Sequence, residues 1–156
     1  MKHLSNKLIA TNKKAKFNFF LEEKYEAGLV LFGSEVKSVR LGKVSIEDSY
    51  VISKGGELYL MSSYIGPYTE ASMLNHDPRR PKKLLLNARE IKKMTSKALL
   101  KGYSIVACSL YFNAKNLIKI EIAVAKGKKL YDKRESIKHR DWERKKSHLL
   151  KHGTCE

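Results

Sequence analysis

Residues 16–21, KFNFFL, set apolar Phe17, Phe19 and Leu21 against polar Lys16 and Asn18. That period of two predicts a strand with one buried face. Residues 25–33, YEAGLVLFG, predict a second strand, with Gly28 marking a bulge or bend. In SEVKSVRLGK, Ser34 stands as an N-cap, Val36, Val39 and Leu41 recur at helical spacing, and Gly42 stops a short helix. Tyr50 and Ile52 alternate into the turn KGGE, and Leu58 and Leu60 alternate out of it, which predicts a hairpin. Residues 75–83, NHDPRRPKK, hold two prolines and four basic groups and predict a loop. Asn87 as cap, with Glu90 three residues on, opens a helix that carries Ile91, Met94 and Ala98 on one face and ends at Gly102. Two β-rich runs, YSIVACSLYF and LIKIEIAVA, are joined by NAKN as another hairpin. In the second, Ile118, Ile120, Ile122 and Val124 alternate with Lys119, Glu121 and Ala123.

The sum is about six strands and two or three helices, with no βαβ rhythm and no internal repeat. A mainly β chain of this kind curls into a small OB-like antiparallel β-barrel with inserted helices. Its 156 residues suit one domain with an appendage. Residues 1–126 are read as the barrel. Beyond Ala125 the strand signal stops, and Leu130, Ile137, Trp142, Leu149 and Leu150 are too sparse for a core-facing stripe. The pairs Asp141/Lys145 and Glu135/Lys138 support a helix by only a few tenths of a kcal/mol each. Residues 127–156 are therefore read as a basic C-terminal tail, disordered in the free protein and helical on a partner.

Charge changes the picture. There are 32 Lys and Arg against 16 Asp and Glu, a net of +16. Self-repulsion of that size weakens a compact state, and a polyanion partner relieves it. From residue 126 onward the chain holds 11 basic and 5 acidic residues, so the tail is the denser half. No apolar run approaches the ~20 residues of a membrane span, and the first sixteen residues contain no h-region of a signal peptide. A cytoplasmic protein without a membrane is expected, with Cys108 and Cys155 as reduced thiols and no zinc site.

No catalytic, cofactor or metal constellation emerges. A P-loop ending at Lys128 would need glycine where Ile122 stands and Ser or Thr where Lys129 stands. His76 lies in the Pro-rich basic loop and His139 in the charged tail, so both read as solvated or phosphate-facing rather than as acid–base groups. Glu26 reads from spacing alone as a surface strand residue. The sharper reading makes it an acceptor for a base amino group or a ribose hydroxyl. Lys13, Lys14 and Lys16 adjoin the aromatic strand, Lys37 and Arg40 share a face of the first helix, and Arg79, Arg80, Lys82 and Lys83 stud the loop. Without a recognition-helix pattern, these sets suit the backbone and 2′-hydroxyls of a folded RNA better than duplex DNA. Trp142, the one tryptophan, either packs back on the barrel or stacks on a partner; its lack of apolar neighbours favours the partner.

Three stretches, NKKAKFNFFLEEKYEAGLVLFGSEVKSVRLGKVSIEDSYV, NHDPRRPKKLLLNAREI and VAKGKKLYDKRESIKHRDWERKKSHLLK, closely resemble the SsrA-binding (small protein B) family from about Leu8 to Lys151. The block GKKLYDKR with IKHRDW downstream is the most specific part. The resemblance implies an OB-like barrel and a non-enzymatic adaptor that binds the tRNA-like domain of transfer-messenger RNA. It implies delivery of that RNA to stalled 70S ribosomes for trans-translation, which tags the incomplete peptide for degradation. Elongation factor Tu and alanyl-tRNA synthetase would be partners only indirectly, through the RNA, and the protein would act as a monomer. On this sequence the family's RNA-binding residues fall at Asn12, Lys13, Lys14, Glu26, Leu85 and Asn87, joined by Lys37 and Arg40 from the reading above. The tail motif, expected at the decoding centre and mRNA channel rRNA, falls at Gly127, Lys128, Lys129, Asp132, Lys133, Arg134, Ile137 and Trp142, with Lys138 beside it. Tyr131 takes a position where the family sets an aromatic or histidine against ribosomal RNA.

Overall fold

The computed structural model describes residues 6–71 and 73–152, so Cys155 lies outside the described residues. In chain order the described elements are β1 (Lys7–Thr11), α1 (Lys13–Asn18), β2 (Phe19–Leu29), α2 (Gly33–Arg40), β3 (Val44–Ser45), β4 (Tyr50–Lys54) and β5 (Glu57–Met61). There follow β6 (Tyr64–Ile65), β7 (Lys82–Leu85), α3 (Ala88–Ala98), β8 (Tyr103–Phe112), β9 (Ile118–Gly127) and α4 (Leu130–His152).

Seven strands make one antiparallel sheet in the order β1-β8-β4-β5-β7-β2-β9, and β8 also pairs with β9. Six of them thus join in a ring. β1 and β4 share one edge of β8, β4 taking Ile105 and Val106 and β1 the stretch from Ser109 to Phe112. The β4–β8 and β2–β7 junctions hold only two residue pairs each. The result is a six-stranded ring of OB-like type, not a fully closed barrel. β3 and β6 form a separate two-stranded ladder.

The ring encloses Leu58, Leu60, Leu84, Leu110, Ile120 and Ile122, with Met94 of α3 wholly buried among them. Asn87 and Glu90 open α3 as the capping pattern requires, the backbone N–H of Asn87 donating to Glu90 Oε2 at 3.1 Å. A second cluster, Ala15, Val106, Cys108, Ala123 and Ala125, lies under Phe19 and Leu21. There α1 covers the sheet, which is why the alternation in β9 gives way to burial of Ala123 and Ala125 as well. Burial pushes the Cys108 thiol up to about 11.

Four local readings change. Residues 13–18 are helical and β2 begins at Phe19, because the Asn12 side chain accepts the Ala15 N–H at 3.0 Å and starts a helical turn. The bulge in β2 falls at Glu22, not Gly28. Gly28 instead meets Leu85, whose Cβ would stand 3.3 Å from an added methyl. Ser34 is not the cap of α2; Glu35 Oε2 takes the N–H of Phe32 at 2.7 Å. Finally, part of the Pro-rich loop is strand β7, with Lys82 pointing inward.

Residues 130–152 form one helix of 23 residues, about 34 Å long. Its base is anchored. Gly127 N–H donates to Gly102 O at 3.0 Å, Lys128 N–H to Asn18 O at 2.9 Å, and Lys129 N–H to Asp132 Oδ2 at 3.3 Å. From Ile137 to Lys151 every residue is exposed. Among the described residues no helix is long and apolar enough to cross a membrane.

Candidate nucleic-acid interface

The register aligns Thr11, Ser109, Glu121 and Glu26 in one row across β1, β8, β9 and β2. At ~4.8 Å per strand, the row places the Asn12–Lys14 segment on the order of 14 Å from Glu26. The structure therefore gathers the sequence-derived residues into two neighbouring groups on one side of the ring.

The first group surrounds α1. Asn12 is almost wholly buried, and its side chain is spent on the helix cap. Its role in the fold is to present Lys13 and Lys14, both exposed. Lys14 Nζ reaches Asp48 at 2.9 Å and Glu47 at 3.7 Å. The Asp48 hydrogen bond raises its pKa, so it stays a cation.

The second group is a cup lined by Glu26, Leu85, Leu86, Asn87, Glu90 and Lys119. Leu85 is half exposed despite its place in β7. The Glu26 carboxylate accepts the hydroxyl of Tyr111 on Oε2, while Lys119 Nζ lies 3.8 Å from Oε1. Burial, then the Glu26 contact, holds the Tyr111 hydroxyl far above the ordinary phenol range, so it remains a donor. Sequence reasoning missed Tyr111 and Lys119. Their signal was the strand register, which sets Tyr111 opposite Lys119 and Lys119 opposite Gly28, two residues past Glu26.

Lys37 and Arg40 do not act together. Lys37 Nζ sits 5.2 Å from the centre of the Tyr68 ring. Arg40 instead lines an apolar groove with Leu29, Val36, Leu85 and Leu117 that runs on from the cup.

The loop cations divide as well. Arg80 pairs with the buried Glu35 and lies 4.2 Å from the Phe32 ring centre, and Lys82 is buried to 1 % exposure. Lys82 Nζ donates to Arg80 O at 2.9 Å, Ser63 Oγ at 3.1 Å and Ser63 O at 3.3 Å. His76 is likewise buried, not solvated: Nε2 faces Ile65 O at 3.0 Å and Nδ1 faces Ser34 Oγ at 2.8 Å. These three residues hold the loop over α2, and the ion pair of Arg80 with Glu35 and the burial of Lys82 and His76 remove them from the set available to a polyanion. Arg79 alone of the loop's arginines reaches outward, 5.9 Å from the Tyr64 ring centre.

The tail motif splits at its base. Lys128 is half-buried, its Nζ donating to Lys16 O and Ser136 Oγ at 3.4 Å each and standing 5.0 Å from the Phe20 ring centre. Asp132 and Lys133 are half-buried beside it, and Arg140 lies 5.8 Å from the Phe17 ring centre. Tyr131, Arg134, Ile137, Lys138 and Trp142 are exposed. Trp142 shows 60 % of its surface, so it does not pack back on the ring. A helix so polar all round has no packed face to explain it. Its exposed cations and the Trp142 indole can reach phosphates and bases from solvent.

These features define a basic, OB-like binding protein with a projecting cationic helix. The family model described as "SmpB protein" matches residues 9–152. The chain is 57% identical over 145 residues to an SsrA-binding protein of Rickettsia canadensis, covering 93% of this chain and 95% of the relative. It is 55% identical over 145 residues to one of Rickettsia bellii, covering 93% and 96%. A chain of the solved structure called "tmRNA-SmpB: a journey to the center of the bacterial ribosome" matches with a TM-score of 0.66 and 40% identity, over 81% of this chain and 92% of that one. The chain belongs to the SmpB family.

Proposed function

We propose that the protein binds the tRNA-like domain of transfer-messenger RNA through the Asn12–Lys14 and Glu26–Asn87 groups and delivers it to stalled ribosomes for trans-translation. It works by binding, without chemical turnover of its own, in the cytoplasm and as a monomer. Elongation factor Tu and alanyl-tRNA synthetase meet it only through the RNA. The observation that carries this reading is α4, a basic helix anchored at its first turns and exposed at every residue from Ile137 to Lys151, with Tyr131 and Trp142 exposed along it. Such a helix needs an anionic surface to lie on. Ribosomal RNA lining an empty mRNA channel supplies one. In the free protein the distal turns, with few tertiary contacts, melt readily, and they order on entering the channel. A channel already filled by mRNA excludes the helix by volume. The names of the relatives and of the structural neighbour support the same partners.

The test is a gel shift of the full chain with a transcribed tRNA-like domain, ordinary tRNA as competitor, at several salt concentrations. Contact with about six phosphates gives a log K against log salt slope of roughly −4 to −5. The tRNA-like domain should win over ordinary tRNA. A flat salt dependence, or binding to ribosomal RNA alone, defeats the reading.

A further inference from the structure

Among the described residues, Lys14 is the one lysine of α1 held in an ion pair. Its ammonium donates to Asp48 Oδ1 at 2.9 Å and stands 3.7 Å from Glu47 Oε2. Both sides of this clasp stand on rigid supports. Asn12 caps α1 and Ala15 is buried beneath it, which fixes where Lys14 projects. Opposite, Glu47 and Asp48 form the tip of the turn between β3 and β4. The buried Ile46 and Ser49 pin that turn at its two ends: Ser49 Oγ donates to Ile46 O at 2.6 Å, and Ser49 N–H to the same oxygen at 3.2 Å. On a chain with 32 basic and 16 acidic residues, two consecutive carboxylates beside this helix oppose the field that draws a polyanion in. Both carboxylates and the ammonium are exposed, and exposed pairs add little to stability. The fold does not require them.

We propose that Glu47 and Asp48 are specificity-determining residues, an internal stand-in for phosphate that holds Lys14 until a well-fitting RNA backbone displaces it. The inference rests on the RNA-binding reading above and deepens it. Carboxylate and phosphate oxygens compete for the same ammonium. An RNA whose backbone follows the surface brings a phosphate to Lys14 and exchanges one ionic contact for another. An RNA held only by the general positive field brings no phosphate there, so the clasp stays shut and that charge stays neutralised. The clasp thus withholds one cation from RNA of the wrong shape and yields it to RNA of the right one.

The test is filter binding of the full chain to the tRNA-like domain transcript and to ordinary tRNA across a salt series, for the wild type, Glu47→Gln/Asp48→Asn, Lys14→Ala and the triple variant. Opening the clasp by Glu47→Gln/Asp48→Asn should tighten ordinary tRNA about fivefold and steepen its log K against log salt slope by about 0.7–0.9, one phosphate's share. The tRNA-like domain already opens the clasp, so it gains only what the clasp contributed, about twofold, with its slope unchanged. In the Lys14→Ala background the two neutralised carboxylates should have no effect on either RNA. Carboxylates that merely add general repulsion would act alike with and without Lys14. Equal tightening on both RNAs, tightening that persists without Lys14, or no tightening of ordinary tRNA overturns the assignment. Failure of the wild type to bind the tRNA-like transcript overturns the underlying RNA-binding reading instead, and the two failures are distinct.

Discussion

Arg80 grips Glu35 with both arms of its guanidinium: Nη2 stands 2.6 Å from Oε2 and Nε 3.2 Å from Oε1, and the carboxylate is wholly buried. The pair ties the loop before β7 to the first turn of α2, where Glu35 also caps Phe32. Arg80→Ala would leave a buried charge without its partner, a loss of about 3 kcal/mol. For a domain of this size that corresponds to a fall in Tm of roughly 6–12 °C. Arg80→Lys keeps the charge but gives up the two-point geometry, so its Tm should lie between the two. Calorimetric melting of the three proteins checks the order.

Lys82 gives the protein a pH signature. Burial pushes its pKa down to about 8 from the usual 10.5. Between those values the unfolded chain holds a proton that the folded chain has released, so stability climbs as pH rises through that window. The slope is at most about 1.4 kcal/mol per pH unit. Urea melts of the wild type from pH 7.5 to 9.5 should show the rise. In Lys82→Met the rise should vanish, while the variant is less stable overall because the carbonyls of Ser63 and Arg80 lose their donor.

Glu23 acts at the other end of the scale. Its hydrogen bond from Lys97, then those from Tyr25 and Lys93, hold its carboxyl down to about 2 from 4.5. Its contribution is therefore complete above pH 4.5 and fades as pH falls toward 2. Because Lys93 and Lys97 belong to α3, this contact also orients the helix whose first residues line the cup. Glu23→Gln should be less stable than the wild type at pH 7, and the difference should close below pH 4 in chemical melts. A gap that stayed constant with pH would count against the ion pairs.

The parts legible in the sequence were those whose local pattern and tertiary setting agree. The hairpin of β4 and β5, the long pair β8 and β9, and α3 with its Asn87–Glu90 opening all appear where the alternation and the capping signal place them. The misreadings have physical causes. The alternation of Phe17, Phe19 and Leu21 is real, but Asn12 captures the first part of it in a six-residue helix that only Ala15, buried on β8 and β9, makes worthwhile. Lys82 and His76 look like solvent-facing groups because their burial depends on donors and acceptors distant in sequence: Ser63, Ser34 and the Ile65 carbonyl. Glu26, Leu85 and Asn87 could be singled out by resemblance, but not the cup they share, since strand register alone brings β2, β7 and the α3 N-terminus together.

The central claim is that the ring grips RNA while α4 reads vacant mRNA track. It is tested most directly by peptide tagging on ribosomes carrying mRNA that ends at the P-site codon, against mRNA that runs well past it, with the full chain and with a chain ending at Lys129. The full chain should tag on the short message and fail on the long one. The shortened chain should bind the tRNA-like RNA within a fewfold of the full chain and tag on neither. Tagging by the shortened chain, or equal tagging by the full chain on both messages, would contradict the account.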